Sequence, residues 1–304
     1  MKDIPIEQNR GDLVFRRTLY FFAAIAFLFV IGIFAFLLNL GLPALQEVGL
    51  AKIFSTEWNP PLKSFGILPF IYGTLVSSFL ALAISTPISV SAGLFLTEIA
   101  NKKVAAVFGF LVEMLAAIPS VVYGLWGLFV VIPWLRVTVD PWLKAHFGFL
   151  PFFTGPIYGV GMLSAAIILA IMITPTLTAI CKEVFYAVPK TLKEGVLALG
   201  STRAEMIHIG VLSSSRSGIL GAMILGLARA LGETMAVTMV IGNTAEISPS
   251  LFAPHQTMAS AMASEVAEAT GTHLSALGVV GLVLFLISGI VFMIMRLVLR
   301  REQR

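Results

Sequence analysis

Apolar residues fall into six long runs separated by shorter polar stretches. A bilayer core of about 30 Å requires roughly 20 apolar residues in a helix, and every run reaches that length. The pattern therefore predicts an all-α integral membrane protein with six transmembrane helices. The runs cover residues 19–40, 67–97, 105–131, 157–180, 217–242 and 274–295.

Two of the runs carry information beyond their length. The first ends at Asn39 without a small-residue cleavage site, so we interpret it as a retained helix and not as a removed signal peptide. The second, 67–97, is longer than one straight span needs at 1.5 Å per residue, and Pro87 inside it permits a kink. We expect a bent or strongly tilted helix there, and a helix followed by a short re-entrant segment is the alternative.

Composition supports the same class of protein. Hydrophobic residues make up 58% of the chain and charged residues 12%, which is about half of the charged fraction of a soluble domain, roughly 25%. The single cysteine, Cys181, excludes an intrachain disulfide and a multi-cysteine metal site. The four histidines show no spacing typical of metal ligands: His146, His208, His255 and His273.

Lysine and arginine are distributed unevenly between alternate polar stretches. Fifteen lie in the N-terminal tail, at 102–103, within 181–216 and in the C-terminal tail, whereas four lie in the intervening stretches. Cytoplasmic loops carry an excess of these residues, so the pattern predicts that both termini are cytoplasmic. The net charge of +4 then reflects topology and does not indicate binding of nucleic acid.

Motifs for catalysis are absent from the sequence. There is no G-x-x-x-x-G-K-[ST] phosphate loop, no G-x-S-x-G and no H-E-x-x-H, so nothing predicts an ATPase, hydrolase or metalloprotease site in this chain. Uphill transport by such a protein would need an ion gradient or a separate ATPase.

Three charged residues remain inside the apolar runs: Glu113, Arg229 and Glu233. Ionised groups within a bilayer are costly, so they usually face protein or water. In a continuous helix Glu233 would lie one turn after Arg229, within reach for an ion pair. Two interpretations follow, a charged element that lines a solute path or a buried pair that only fixes helix packing. Glu113 lies nearer the cytoplasmic end, and both interpretations apply to it as well.

The helical wheel of the fifth run places Arg229 on a face of small residues. At about 100° per residue this face also holds Gly218, Ala222, Glu233 and Ala236. Small residues allow membrane helices to approach closely. The opposite face should meet lipid or an apolar neighbour, and it holds Leu220, Ile224, Leu227 and Leu231.

The polar stretch 181–216 is long for a loop and contains a short helical pattern. Pro189 can begin a helix and Gly200 can end it. Val196 and Leu199 would then be apolar residues exposed to the cytoplasm, which predicts a docking surface for a partner. The alternative is an amphipathic helix that lies on the membrane surface.

Several separated motifs resemble one transporter family. The run E-G-V-L-A-L-G at 194–200 resembles the E-A-A-x-x-x-G motif of importer-type ABC permeases, although Gly195 and Val196 replace the two alanines and Ser213 stands where proline is common. Four further runs resemble the phosphate-specific, PstC-like members: F-G-I-L-P-F-I-Y-G-T-L at 65–75, A-A-I-P-S-V-V-Y-G-L-W-G-L-F at 116–129, I-I-L-A-I-M-I-T-P-T at 167–176 and R-A-L-G-E-T-M-A-V-T-M-V at 229–240.

The resemblance implies an architecture and a site. The last five helices would form a type I importer core at 65–299 with a cytoplasmic coupling loop at 181–216. A tail at 1–18 and the first helix with its outer loop at 19–64 would precede this core, and a tail at 300–304 would follow it. Arg229 and Glu233 would be the charged pair needed for phosphate passage, with Glu113 as a further candidate. The ATPase would contact 194–208, including Glu194, Leu199, Gly200, Ser201 and Thr202.

The same resemblance implies partners and no bound cofactor. The expected partners are a second homologous permease (PstA-like), two copies of a cytoplasmic ABC ATPase (PstB-like) that uses ATP and Mg, and an extracytoplasmic phosphate-binding protein (PstS-like). The expected location is a bacterial-type inner membrane. Two alternatives remain, the same architecture importing sulfate, molybdate or a phosphonate, and an ion-coupled secondary carrier that works without an ATPase.

Overall fold

The computed structural model describes residues 10–302. Residues 1–9 and 303–304, which belong to the two predicted cytoplasmic tails, lie outside the described residues. Within 10–302 the structure is almost entirely helical, and its strands form one antiparallel hairpin that pairs Trp58 with Phe65 and Asn59 with Ser64.

Five helical segments are long and apolar enough to cross a membrane, and a sixth is obtained when two helices that meet at 67° are counted as one broken span. The prediction of six transmembrane helices is confirmed on that count. The five segments are Arg10–Val48, Leu68–Leu94 with a π-helical extension at Phe95–Ile99, Ser120–Phe147, Met162–Tyr186 and Thr272–Glu302. The broken span consists of Arg203–Leu212 and Arg216–Gly232.

Shorter elements connect the spans. They include the helices Leu50–Ile53, Lys102–Ala116, Lys190–Ala198, Met235–Val240 and Met258–Glu265, the 3-10 turns Pro60–Leu62 and Pro151–Phe153, and the hairpin strands Trp58–Asn59 and Ser64–Phe65. The span Ser120–Phe147 itself alternates between α-helical and π-helical turns.

The second apolar run forms one helix that continues through Pro87. The alternative of a helix followed by a re-entrant segment is therefore wrong. The third run differs from its prediction, because the chain leaves the helical conformation at Pro119 (φ −59°, ψ 140°). Proline lacks an N–H and disfavours helix at the residue before it. The predicted span 105–131 is thus replaced by a separate helix, Lys102–Ala116, followed by the span Ser120–Phe147.

Packing is centred on the span Met162–Tyr186. This span packs along Leu68–Leu94, and Arg216–Gly232 packs against both, whereas Arg10–Val48 packs along Thr272–Glu302. The central side chains of Met162–Tyr186 are completely buried: Ile168, Leu169, Met172, Ile173 and Leu177. The spans around this core leave large apolar side chains exposed on their outer faces, as expected for helices that face lipid.

The bundle has two chemically different ends. One end, called the basic end below, gathers the lysines and arginines of the turn after the second span and of the stretch 181–216: Lys102, Lys182, Lys190, Lys193 and Arg203. The opposite end holds the hairpin, the segment 148–161 and the helix Met258–Glu265. At that end Trp58 Nε1 donates a hydrogen bond to Glu265 at 3.0 Å, and the Met258 N–H donates to Thr74 Oγ1 at 2.9 Å.

Candidate substrate path and docking loop

The fifth apolar run is interrupted in its middle. The helix Arg216–Gly232 ends at a glycine, Glu233 is extended (φ −69°, ψ 127°), and the short helix Met235–Val240 follows. Glycine is a poor helix former, so the helix can end at Gly232. The next residue, Glu233, contributes its carboxylate to the start of the following helix. The Glu233 Oε1 accepts a hydrogen bond from the Ala236 N–H at 3.3 Å, which satisfies one of the backbone donors that a helix start leaves free.

Arg229 lies in the last turn of Arg216–Gly232 and is half-buried. Its Nη1 donates a hydrogen bond to Thr176 Oγ1 at 3.4 Å. Within residues 10–302 this is the one hydrogen bond recorded for the guanidinium, which has five N–H donors. The hydroxyl of Tyr123, on the neighbouring span, donates to the Leu115 carbonyl at 2.8 Å. The site is therefore a cation with one hydroxyl partner, Thr176, among the described residues.

The predicted ion pair between Arg229 and Glu233 is not formed. Among the described residues the ion pairs join other groups, and none includes Arg229 or Glu233. The prediction assumed a continuous helix with the two residues one turn apart, and the helix stops between them. For the same reason Glu233 and Ala236 do not share the wheel position of Arg229.

The small-residue face of the helix does pack closely. An added Cβ at Gly218 would overlap Val184, and one at Gly226 would overlap Leu177, both on Met162–Tyr186. On the opposite face Leu227 and Leu231 are buried inside the protein. The sequence predicted that this face meets either lipid or an apolar neighbour, and for these two residues the structure shows the apolar neighbour.

Glu113 lies outside the spans. It belongs to the helix Lys102–Ala116, and its Oε1 lies 3.1 Å from Lys182 Nζ. Lys182 follows Thr176 by six residues on the same helix, which is about 9 Å along the axis. Glu113 is thus displaced toward the basic end relative to Arg229, and the prediction that placed it within a continuous third span is corrected.

The stretch 181–216 contains the predicted short helix, Lys190–Ala198, with Pro189 immediately before it. Gly200 follows with φ +87°, a conformation that glycine adopts without strain. Leu199 is 90% exposed, the highest exposure among the large apolar residues described. Glu194 and Thr202 are also exposed. These residues form a free surface at the basic end.

Val196 differs from its prediction. It is half-buried and packs on an apolar cluster that includes Met206 and Val211. Ser201 Oγ donates to the Val196 carbonyl at 2.6 Å, and Thr202 forms a reciprocal capping box with Glu205. These contacts attach the loop to the bundle and leave Leu199 pointing away from it.

Comparison with known proteins assigns the family. A family model described as "Binding-protein-dependent transport system inner membrane component" matches residues 85–304. The chain belongs to this family. The matched region contains Arg229, Glu233, Glu113 and the whole stretch 181–216.

Relatives of this permease agree along nearly the whole chain. The phosphate transport system permease protein PstC of Xylella fastidiosa (strain Temecula1) is 44% identical over 98% of the chain and 94% of its own length. The PstC protein of Pasteurella multocida is 43% identical over 96% and 93%. A probable PstC of Methanocaldococcus jannaschii is 34% identical over 89% and 87%.

Solved structures match the permease at the level of the fold. A chain described as "Inward facing conformations of the MetNI methionine ABC transporter: CY5 native crystal form" aligns with a TM-score of 0.59 at 15% identity, covering 82% of the permease and 100% of that chain. A second crystal form of MetNI aligns with a TM-score of 0.52 at 17% identity. The fold is therefore that of an ABC importer permease.

One residue that contacts Arg229 was not identified from the sequence. Thr176 lies in the run 167–176, whose resemblance to phosphate permeases was apparent, but it was not assigned a role. Its polarity inside an apolar run was the available signal. Its contact with Arg229 depends on how two separate spans pack, which no single-helix pattern contains.

Proposed function

We propose that this chain is a transmembrane subunit of an ATP-driven phosphate importer and forms the phosphate path together with a second homologous permease. The proposal rests on family membership, on the PstC relatives and on the site around Arg229. Phosphate is the substrate named for those relatives, and here it is a proposal for this chain.

The observation that carries the proposal is the unpaired environment of Arg229 among the described residues. A guanidinium held half-buried with one hydroxyl partner at 3.4 Å retains donors for a ligand. Its planar fork matches the geometry of a tetrahedral oxyanion. Because no carboxylate of residues 10–302 forms an ion pair with it, the site favours a mobile anion over a fixed internal ion pair. This supports a solute path and argues against the interpretation as a packing pair.

The two carboxylates have different proposed roles. Glu233 caps the short helix Met235–Val240 through the Ala236 N–H, so its negative charge is held at the break that follows the helix of Arg229. There it would weaken anion binding enough to permit release. Glu113, paired with Lys182, would act only near the basic end of the path.

The basic end is proposed to face the cytoplasm and to receive the ATPase. The excess of lysine and arginine at this end supports the orientation. The exposed residues Glu194, Leu199 and Thr202 support a docking role for the loop. ATP and Mg would act in the partner ATPase, whose closure on ATP would move the loop and switch the access of the spans. An extracytoplasmic phosphate-binding protein would deliver phosphate to the opposite end.

Uptake of labelled phosphate into vesicles tests the proposal. The complete complex should accumulate phosphate only when ATP is present on the ATPase side, and excess unlabelled phosphate should abolish the signal. Accumulation without ATP but with an imposed ion gradient would overturn it in favour of a secondary carrier.

Competition in the same vesicles tests the nearer alternative. Sulfate, molybdate and a phosphonate, each in excess, should leave phosphate uptake largely unchanged. Stronger competition by one of them than by phosphate would assign that oxyanion as the substrate and leave the architecture intact.

A further inference from the structure

A second charged site lies at the basic end, away from Arg229. Glu98 is in the π-helical extension Phe95–Ile99, where the span Leu68–Leu94 ends and the chain turns into Lys102–Ala116. Its side chain is only 8% exposed. A carboxylate this buried requires a partner.

The partner comes from the short helix Lys190–Ala198. Lys193 Nζ lies 2.5 Å from Glu98 Oε1 and 3.5 Å from the Phe185 carbonyl oxygen, and its side chain is 18% exposed. Arg203, which begins the segment after the loop, donates a hydrogen bond to the Glu98 carbonyl. Both sides of the loop are thus fastened to one point at the end of the second span.

The pair differs from the other lysine–glutamate contacts at this end. Lys182 contacts Glu113 and Glu183, whose side chains are 61% and 73% exposed. Exposed pairs are weak because water screens them. A pair removed from water interacts more strongly, and loss of one partner strands the other charge. Of the contacts in this group, Glu98–Lys193 is therefore the one strong enough to keep its two helices together when one of them moves.

Contacts continue from Glu98 toward Arg229. Ser89, nine residues earlier on the same helix and so about 14 Å away along the axis, donates a hydrogen bond to the Thr174 carbonyl at 3.1 Å. Thr176, two residues further, is the hydroxyl that contacts Arg229. A displacement of the second span at Glu98 would therefore reach the Arg229 site through one hydrogen bond between helices.

We propose that the Glu98–Lys193 ion pair links the short helix Lys190–Ala198 to the second span and transmits the movement of that helix to the Arg229 site. Both are positioning residues, since they lie at the basic end and not at the Arg229 site. The inference rests on the proposed function, because the movement is supplied by the docked ATPase. The inference goes beyond the proposed function because it assigns the connection between the docking loop and the second span to one buried ion pair.

The test measures phosphate uptake and ATP hydrolysis in the same proteoliposomes, using the complete complex. Glu98→Gln and Lys193→Gln should each reduce the phosphate transported per ATP by at least about fivefold, the lower end of an energetic coupling between sites, while basal hydrolysis per assembled complex is retained. The ratio is measured on assembled complex, because the stranded charge should also lower complex abundance. The reversed pair E98K/K193E should recover a large part of the ratio. Glu183→Gln, an exposed carboxylate at the same end, is the matched control and should leave the ratio unchanged.

The outcomes separate the two proposals. If the native complex shows no ATP-dependent uptake, the proposed function fails. If the native complex is active and both single variants keep its ratio, the link is wrong although the importer stands. A reversed pair that transports no more phosphate per ATP than the single variants also overturns the link. In that case the attraction between the two side chains would not contribute to coupling.

Discussion

Arg229 occupies a position that the protein stabilises only in part. A cation in the last turn of a helix gains typically 0.3–1 kcal/mol from the helix dipole, and one hydroxyl contact at 3.4 Å adds little. Translocon scales give roughly 2.5–3.5 kcal/mol for an arginine at the centre of a membrane helix. The remaining solvation must come from water or an anion beside the guanidinium, which is what a solute path supplies.

Replacement of Arg229 should separate charge from packing. Arg229→Gln should abolish phosphate uptake with little change in complex abundance, because no carboxylate among the described residues is left stranded. Arg229→Lys should retain partial uptake, since the charge remains but the planar fork is lost. Uptake and membrane abundance of the complex are measured together.

Arg216→Gln, at the other end of the same helix, is the control for this prediction and should transport normally. The double variant Arg229→Met with Glu233→Leu adds a second check. If the two residues only stabilised packing, that variant would assemble and transport. We expect it to assemble and remain inactive, and normal uptake would contradict the role of Arg229.

Glu233 should influence release more than binding. Glu233→Gln keeps an oxygen that can accept from the Ala236 N–H, so the short helix should still form. Loss of the negative charge at the break after the helix of Arg229 should lower the half-saturating phosphate concentration and also lower the maximal uptake rate. Both values come from uptake at graded phosphate concentrations. Glu233→Ala should in addition remove the hydrogen bond at the helix start, at a cost of about 0.5–1.5 kcal/mol.

At this scale the sequence identified the charged residues but not their contacts. Arg229 and Glu233 stand out because they interrupt an apolar run. Their spacing suggested an ion pair only under the assumption of an unbroken helix. Gly232 followed by Glu233 was a visible reason to doubt that assumption, whereas the contact with Thr176 arises from another span and had no local signal.

At the scale of elements, length and hydropathy located the spans but not their interruptions. The run 105–131 looked continuous because its apolar composition does not change across Pro119. Proline inside an apolar run is ambiguous, since Pro87 lies within a continuous helix whereas Pro119 lies at a break, immediately before the helix that begins at Ser120. Which outcome occurs depends on whether neighbouring helices satisfy the freed backbone groups.

Two glycines of the helix Arg216–Gly232 should respond oppositely to an added methyl group. Gly226→Ala would overlap the completely buried Leu177, and overpacking of this kind typically costs about 1–3 kcal/mol. Gly221 has open space around its Cβ position, so Gly221→Ala should be neutral or stabilise the helix by up to about 1 kcal/mol. Thermal unfolding of the purified variants measures the difference. Equal midpoints would contradict the close packing of the two spans.

The exposed end of the loop should matter for coupling and not for folding. Leu199→Asp removes an apolar side chain that is 90% exposed, so the stability should change by less than about 0.5 kcal/mol. Co-purification of the ATPase with the permease should fall, and phosphate uptake should be lost. Gly195→Ala places a methyl group in open space and introduces the alanine that the related motif carries, so it should transport normally. Full uptake by Leu199→Asp would contradict the docking surface.

For the whole molecule, the two ends must lie on opposite sides of the membrane. The spans between them expose apolar side chains to lipid, while one end collects most of the lysines and arginines. The charge asymmetry predicts that this end faces the cytoplasm, and its side of the membrane can be measured directly.

Cysteine labelling in intact cells provides that measurement. Cys181 is the only cysteine in the sequence and is completely buried, so the native chain should not react with a membrane-impermeant maleimide and gives a clean background. Lys103 at the basic end and Glu268 at the opposite end are both exposed. Glu268→Cys should react in intact cells, whereas Lys103→Cys should react only after permeabilisation. Reaction in permeabilised cells is the control that each cysteine is accessible to the reagent. The reverse pattern would place the basic end outside the cell, where the docking loop could not meet a cytoplasmic ATPase.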